Sequence, residues 1–455
     1  MENVQSFSPV LKNRGFLNLW LNQILVQFSQ NSLNFALLFW VYYLTSSNLA
    51  VAALLFCIYL PATLFGVISG VLADLIDRKK IILSIDILLA ILFFLFLFLK
   101  FYFPAILILV FLVNSLVQFY IPAESSALPL IVRPNQFFRA NSLFSITLFA
   151  MFLIGFGLSG PIIVYLGIDF VFIIGGVSLV IAFILALKFP SITAKADSYN
   201  KRLIKDIQKR NLAKLFDHST VQIKKTLQMI KGKLAVLYSI IILAGVQTVI
   251  GVSATLLPAF LETRLKVSAT DASYIVILPL GLGTVLGAFL IGKFGHFFPK
   301  RILVGRAILA GGLFLFLIGL VPLLSPAIKY IPTQPAPFFS QPFLSGVMSL
   351  GSFLIGAAVV AIIIPSQTVL QQNTPEENRG KVYGALIALM SGLSLIPVLL
   401  TGVVADKVGT IPIFIGIGGF IILFGLLILK PDFYFEKKHL PFKVREFLGL
   451  GHWEK

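Results

Sequence analysis

The sequence predicts an all-α membrane protein: twelve transmembrane helices in two pseudo-symmetric six-helix halves. Three observations carry that expectation. The chain of 455 residues is 58% hydrophobic and only 12% charged, with 44 Phe, and its mean hydropathy is +0.98. A soluble protein needs more polar surface than this to cover its core. Long apolar runs recur along the chain, and basic residues gather in alternate loops.

Apolar runs of about 18 residues or more read as bilayer-crossing helices. They cover 17–44, 49–73, 81–99, 101–121, 142–166, 170–189, 234–261, 272–292, 302–324, 343–370, 382–405 and 411–430. The third and fourth are separated by Lys100 alone. The start, MENVQSFSPVLKNRGFLNLW, is not a signal peptide, because it lacks a short apolar core with a small-residue cleavage site, so the first helix is expected to be retained. The lone Cys57 lies inside the second run and reads as a small apolar residue, with no disulfide possible within the chain.

Lys and Arg total 36 against 18 Asp and Glu, for a net charge of +18. The bases cluster at Lys12 and Arg14, Arg78 to Lys80, Arg133 and Arg139, through 190–233, at Lys293 to Arg306, at Arg379 and Lys381, and in the tail. The intervening loops hold only Lys100, Arg264, Lys266, Lys329 and Lys407. This positive-inside bias places both termini in the cytoplasm and the protein in the plasma (inner) membrane. Bases beside an anionic leaflet account for the charge without nucleic acid. The resulting organisation is a cytoplasmic N-terminus (1–16), a six-helix half (17–189), a basic cytoplasmic linker (190–233), a second half (234–430) and a cytoplasmic tail (431–455). KRLIKDIQKRNLAKLF (201–216) in the linker suits an amphipathic surface helix.

An internal repeat relates the halves. GVISGVLADLIDRKKIIL (66–83) aligns without a gap on GAFLIGKFGHFFPKRILV (287–304), setting Gly66 on Gly287 and the bases Lys79 and Lys80 on Lys300 and Arg301. GPIIVYLGIDFVF (160–172) aligns on GVVADKVGTIPIF (402–414), setting Gly167 on Gly409 and Phe172 on Phe414. The extra length in the second half falls in the Pro-rich stretch 325–342, expected as an extended external loop. Two like-oriented halves imply a pseudo-two-fold axis along the membrane normal, the plan of a transporter with a central cavity.

The five charges of GVLADLIDRKK (70–80) sit in the turn between the second and third spans. This stretch resembles the loop signature of the major facilitator superfamily, at the family's position in the chain. TPEENRGKVYGAL (374–386) and NRGFLNLWLNQILVQFSQN (13–31) are similar to the branch containing enterobactin and macrolide exporters. The resemblance implies a secondary-active transporter, working by alternating access, that exports hydrophobic or amphipathic small molecules with protons as driving ion. It also implies a conformational latch: Gly70 lets the second and eleventh helices pack closely, Asp74 meets the start of the eleventh near Arg379 and Gly380, and Arg78 closes the inner gate. A carboxylate beside a helix N-terminus is physically favourable. The sequence departs from the pattern in three places. Gly295 stands where the repeat would put a second Asp74, the glycine run of 155–167 is partial, and no arginine lies in 103–120.

In that fold the first, fourth, seventh and tenth helices line the cavity. Here they carry the neutral amides Gln23, Gln27, Gln30 and Asn31, Asn114 and Gln118, Gln247, and Gln367, with Asn22 and Asn34 beside them. Such amides either contact cargo or bond between helices. Gln23, Gln27 and Gln30 share one helix face. Asp86 is the acidic residue well inside a span, either a proton-coupling group or the partner of a nearby base. Glu124 is expected in a structural salt bridge. A lysophospholipid or nutrient transporter of the same fold is the alternative. An intramembrane enzyme using Asp74 and Asp77 on Mg²⁺ and pyrophosphate is disfavoured, because such sites need several converging carboxylates and three bases adjoin these two. No catalytic set, cofactor motif or metal site is expected, and a monomer is.

Overall fold

The structure, a computed structural model, describes residues 8–133, 136–189, 234–265, 269–295, 298–327, 341–372 and 379–429. Among the described residues, twelve helices are long and apolar enough to cross a membrane. They are α1 (Arg14–Thr45), α2 (Asn48–Leu75), α3 (Arg78–Leu99), α4 (Phe103–Ile131), α5 (Phe137–Leu166), α6 (Ile168–Leu187), α7 (Leu234–Ala259), α8 (Leu278–Phe294), α9 (Lys300–Ala327), α10 (Gln341–Gln372), α11 (Arg379–Val408) and α12 (Thr410–Leu429). Helices satisfy every backbone group from within, which hydrocarbon demands. Lys100 does separate a pair of helices, in the short turn between α3 and α4. The basic linker with its expected surface helix, most of the Pro-rich loop and the C-terminal tail lie outside the described residues.

The chain folds as two compact units, Met1–Trp40 with Cys57–Lys224, and Val41–Phe56 with Lys225–Lys455. These follow the covalent halves except at residues 41–56, the end of α1 and start of α2, which group with α7 to α12.

Within each unit the same helix pairs meet. In the first, α3 packs on α6, Gly155 of α5 lies against Asn31 and Ser32 of α1, and Phe65 of α2 packs 5.8 Å from Phe119 of α4. In the second, α9 packs on α12, α7 on α11 and α8 on α10. Each pair recurs six helices later, as a duplication requires. The aligned glycines agree too. Gly167 joins α5 to α6 at φ 89° and Gly409 joins α11 to α12 at φ 84°. Both turns use a backbone conformation that a side chain would strain.

Small residues set the closest approaches. A Cβ on Gly283 of α8 would run into the carbonyl of Phe353 on α10, and one on Gly287 would lie 2.9 Å from Ala357 Cα. The GLGTVLG segment (281–287) is thus a helix-packing face. On α12, a Cβ at Gly418 would lie 2.6 Å from Phe316 N of α9. Exposed apolar side chains such as Phe98, Phe420 and Leu423 are surface that lipid covers. Tyr43, Tyr102 and Tyr165, all strongly exposed, sit at the helix ends that the charge bias assigns to the outside, in the manner of an interfacial aromatic belt.

Gly283→Ala is expected to destabilise the folded protein by about 1–3 kcal/mol, the cost of overpacking. Gly292→Ala, whose Cβ would meet nothing within 4 Å, is expected to be near neutral. Reversible unfolding of both variants in detergent checks this.

Candidate functional site

The first unit holds a buried polar cluster. Asp86 lies about 12 Å along α3 from Arg78, at 1.5 Å per residue. Asn22 of α1, Asp86 and Tyr120 of α4 are 0% exposed, and Glu124, one turn along α4 from Tyr120, is 5% exposed. Asn22 Nδ2 donates to Asp86 Oδ2 at 2.7 Å and to the carbonyl of Ala182 on α6 at 2.9 Å. Tyr120 Oη lies 2.7 Å from Asn22 Oδ1 and 3.0 Å from Glu124 Oε1. Asp86 Oδ1 is buried without a partner among the described residues. Four helices therefore converge on one amide.

This arrangement differs from expectation in one respect: Glu124 is hydrogen-bonded to Tyr120, and neither it nor Asp86 makes an ion pair among the described residues. Asn22 bonds between helices, joining α1, α3, α4 and α6. Among the described residues Lys100 forms an ion pair with Asp169, which ties the α3–α4 turn to the start of α6. The carbonyl of Lys100 also accepts from Trp40 Nε1 at 2.7 Å.

The charged turn is built on Asp77. Its carboxylate accepts from Lys79 N at 2.9 Å and caps α3, satisfying an amide at the helix start. Lys79 Nζ reaches the carbonyls of Leu187, at the end of α6, and Phe189, just beyond it. Arg78 is buried, with Nε donating to Ser126 Oγ of α4 at 2.7 Å. Of the other latch residues, Gly70 and Asp74 lie in α2, and Arg379 and Gly380 open α11. A Cβ on Gly70 would meet nothing within 4 Å. The side chains of Asp74 and Arg379, and the burial of Gly380, lie outside what is described.

The predicted lining amides divide. Gln23 is 1% exposed, with its Oε1 unpartnered. Asn31 turns back to the carbonyl of Gln27, and Asn114, also buried, to that of Val110. Gln27, Gln30, Gln118, Gln247 and Gln367 are half-buried.

Asp406, near the end of α11, is a residue that sequence reasoning missed. Its carboxylate accepts from Ser47 Oγ at 2.6 Å, Asn48 N at 2.6 Å, Asn48 Nδ2 at 2.9 Å and Leu49 N at 3.2 Å. Both partners belong to the second unit. The carboxylate from α11 thus caps α2, after the αL turn at Ser46, φ 50°. The Ser-Ser-Asn sequence at 46–48 is the available signal, since it marks a helix start. Asp406→Ala is expected to weaken that helix start by about 1 kcal/mol. Faster hydrogen exchange at the Asn48 and Leu49 amides, against an unchanged α6, checks it.

Comparison with known proteins agrees with this architecture. The family model for the Major Facilitator Superfamily matches residues 19–386. Macrolide efflux protein A of Streptococcus pyogenes is 22% identical over 406 residues, spanning 87% of this chain and 90% of that one. An uncharacterized MFS-type transporter of Bacillus subtilis, YfiS, is 23% identical over 388 residues, 85% of each chain. The crystal structure of the nucleoside transporter NupG superposes with a TM-score of 0.63 at 13% identity, covering 92% of this chain and 99% of that one. An auto-inhibited POT family peptide transporter superposes at 0.66 with 12% identity, covering 94% and 99%. At such identities the solved structures speak to the fold. Twelve apolar helices, a duplicated packing pattern and a family match over most of its length lead to one conclusion: the chain belongs to the major facilitator superfamily, and it is a membrane transporter, not an enzyme.

Proposed function

We propose that the protein is a proton-driven exporter of hydrophobic or amphipathic small molecules, with both termini cytoplasmic. The observation that carries this reading is Asp86: a fully buried carboxyl inside a membrane helix, held by Asn22 and without a counter-ion among the described residues. A structural carboxylate is ordinarily paired; an unpaired one inside a span marks a place where a proton is bound and released, on it or on a group linked to it. The relative's name, a macrolide efflux protein, supports a bulky, largely apolar cargo. So does the neutrality of the amides Gln23, Gln27, Gln30, Asn31, Asn114, Gln118, Gln247 and Gln367, proposed as cargo contacts. The same neutrality favours a second reading, in which the cargo is a lysophospholipid or a nutrient.

The conformational change is proposed to run through contacts made in one state only, since such a contact biases the equilibrium by its own free energy. Gly70, Asp74, Arg78, Arg379 and Gly380 form the cytoplasmic latch in this reading. Asp406 on the start of α2 is the corresponding contact at the other end of α2, and it is made in this structure.

Cells expressing the protein are expected to extrude a lipophilic dye and a macrolide in a protonophore-sensitive manner. Asp86→Asn is expected to reduce that efflux at least tenfold at equal membrane expression. Efflux indifferent to both the protonophore and the substitution would remove proton drive. No efflux of either compound from well-expressed protein would favour the lipid or nutrient reading.

A further inference from the structure

The four-residue cluster has a hydrogen count that can be worked out. The carbonyl of Ala182 can only accept, so the Asn22 atom facing it is Nδ2. Both Nδ2 hydrogens are then placed, one on Ala182 O and one on Asp86 Oδ2. Asn22 Oδ1 must therefore accept, and the group facing it is Tyr120 Oη at 2.7 Å. A tyrosine hydroxyl has one hydrogen. With that hydrogen on Asn22, the 3.0 Å contact between Tyr120 Oη and Glu124 Oε1 needs a hydrogen from Glu124. Every donor in the chain then points the same way, from Glu124 through Tyr120 and Asn22 to Asp86.

We propose that Glu124, Tyr120, Asn22 and Asp86 form one buried site for a single exchangeable proton, carried on Glu124, with Asp86 as the terminal acceptor. The proposal rests on the proton-driven reading only for its role in transport; the site itself stands on the contacts above. When a proton from water binds the Glu124 carboxylate, one O–H bond forms there. The Tyr120 hydrogen swings from Glu124 to Asn22 Oδ1, and Asn22 is held in place against Asp86. On release the Glu124 O–H bond breaks and its proton returns to water. The Tyr120 hydrogen turns back to Glu124, and Asn22 Oδ1 loses its donor. An amide does not relay protons, so Asn22 transmits orientation alone.

Loading is thereby linked to the hold between α1 and α3. The release state is the strained one: it leaves two buried carboxylates, with Asp86 Oδ1 already unpartnered among the described residues. The surrounding helices offer no base to either among the described residues. Of the bases on α3, Arg78 engages Ser126, Lys79 engages Leu187 and Phe189, and Lys80 is exposed; α6 presents the carbonyl of Ala182. A proton is therefore the charge that balances the pair.

Infrared difference spectra of the full-length protein in lipid bilayers, taken between alkaline and acidic buffer, read this directly. Wild type is expected to show a protonated-carboxyl C=O band. The band should vanish in Glu124→Gln, persist in Asp86→Asn, and move to higher frequency in Tyr120→Phe, where the Glu124 O–H loses its acceptor. A band that survives Glu124→Gln and vanishes in Asp86→Asn would overturn the assignment, as would no titrating band in wild type. Should Glu124→Gln fail to fold, an unshifted band in Tyr120→Phe overturns it as well. The expected bands without protonophore-sensitive efflux would leave the proton site standing and sink the transport reading.

Discussion

Hydrocarbon offers no hydrogen-bond partner, and the rest of this structure follows from that constraint. Every backbone amide must be satisfied within the chain, so the long apolar runs become helices. Hydroxyls inside spans turn back to their own helix, as Ser29, Thr248 and Thr255 do to the carbonyls four residues earlier. Without water to expel between them, helices are held by close packing and by a few polar contacts. Glycines supply the packing, on α8 against α10 and on α12 against α9. Among the polar contacts between helices are two junctions built from several bonds each.

Two such places stand out. One is the Asn22 junction, where a single amide touches α3, α4 and α6 from α1. The other is the Asp406 cap, where a carboxylate from α11 holds three groups at the start of α2 together with the Ser47 hydroxyl. The first is closed to solvent and the second is exposed. In the proposed mechanism the buried carboxyls bind a proton and the exposed cap is made and broken.

Much of the fold is legible because its signals are local or periodic. Span lengths, the turn at Lys100 and the paired glycines Gly167 and Gly409 can be read from runs and repeats, and both glycines occupy the same unusual backbone region. The site is harder. Asp86 is conspicuous as a carboxyl inside a span, but its partner depends on the rotation of α1 about its own axis, which a run of apolar residues does not specify. Asn22 therefore looks like one lining amide among several. Bases nearby in sequence suggest a salt bridge for Glu124. Tyr120, one helical turn away on the same face, is the signal for the hydrogen bond actually made. Asp406 and Asn48 are far apart in the chain, and neither reveals the other.

In the proposed mechanism cargo and protons move in exchange. The most direct measurement is proton flux in proteoliposomes holding the purified protein, with an internal pH-sensitive dye and a macrolide supplied on one side. The account predicts cargo-dependent proton movement opposite to the macrolide, and an imposed pH gradient should drive macrolide uphill. Macrolide movement with no accompanying proton flux, and no accumulation under the gradient, would contradict it.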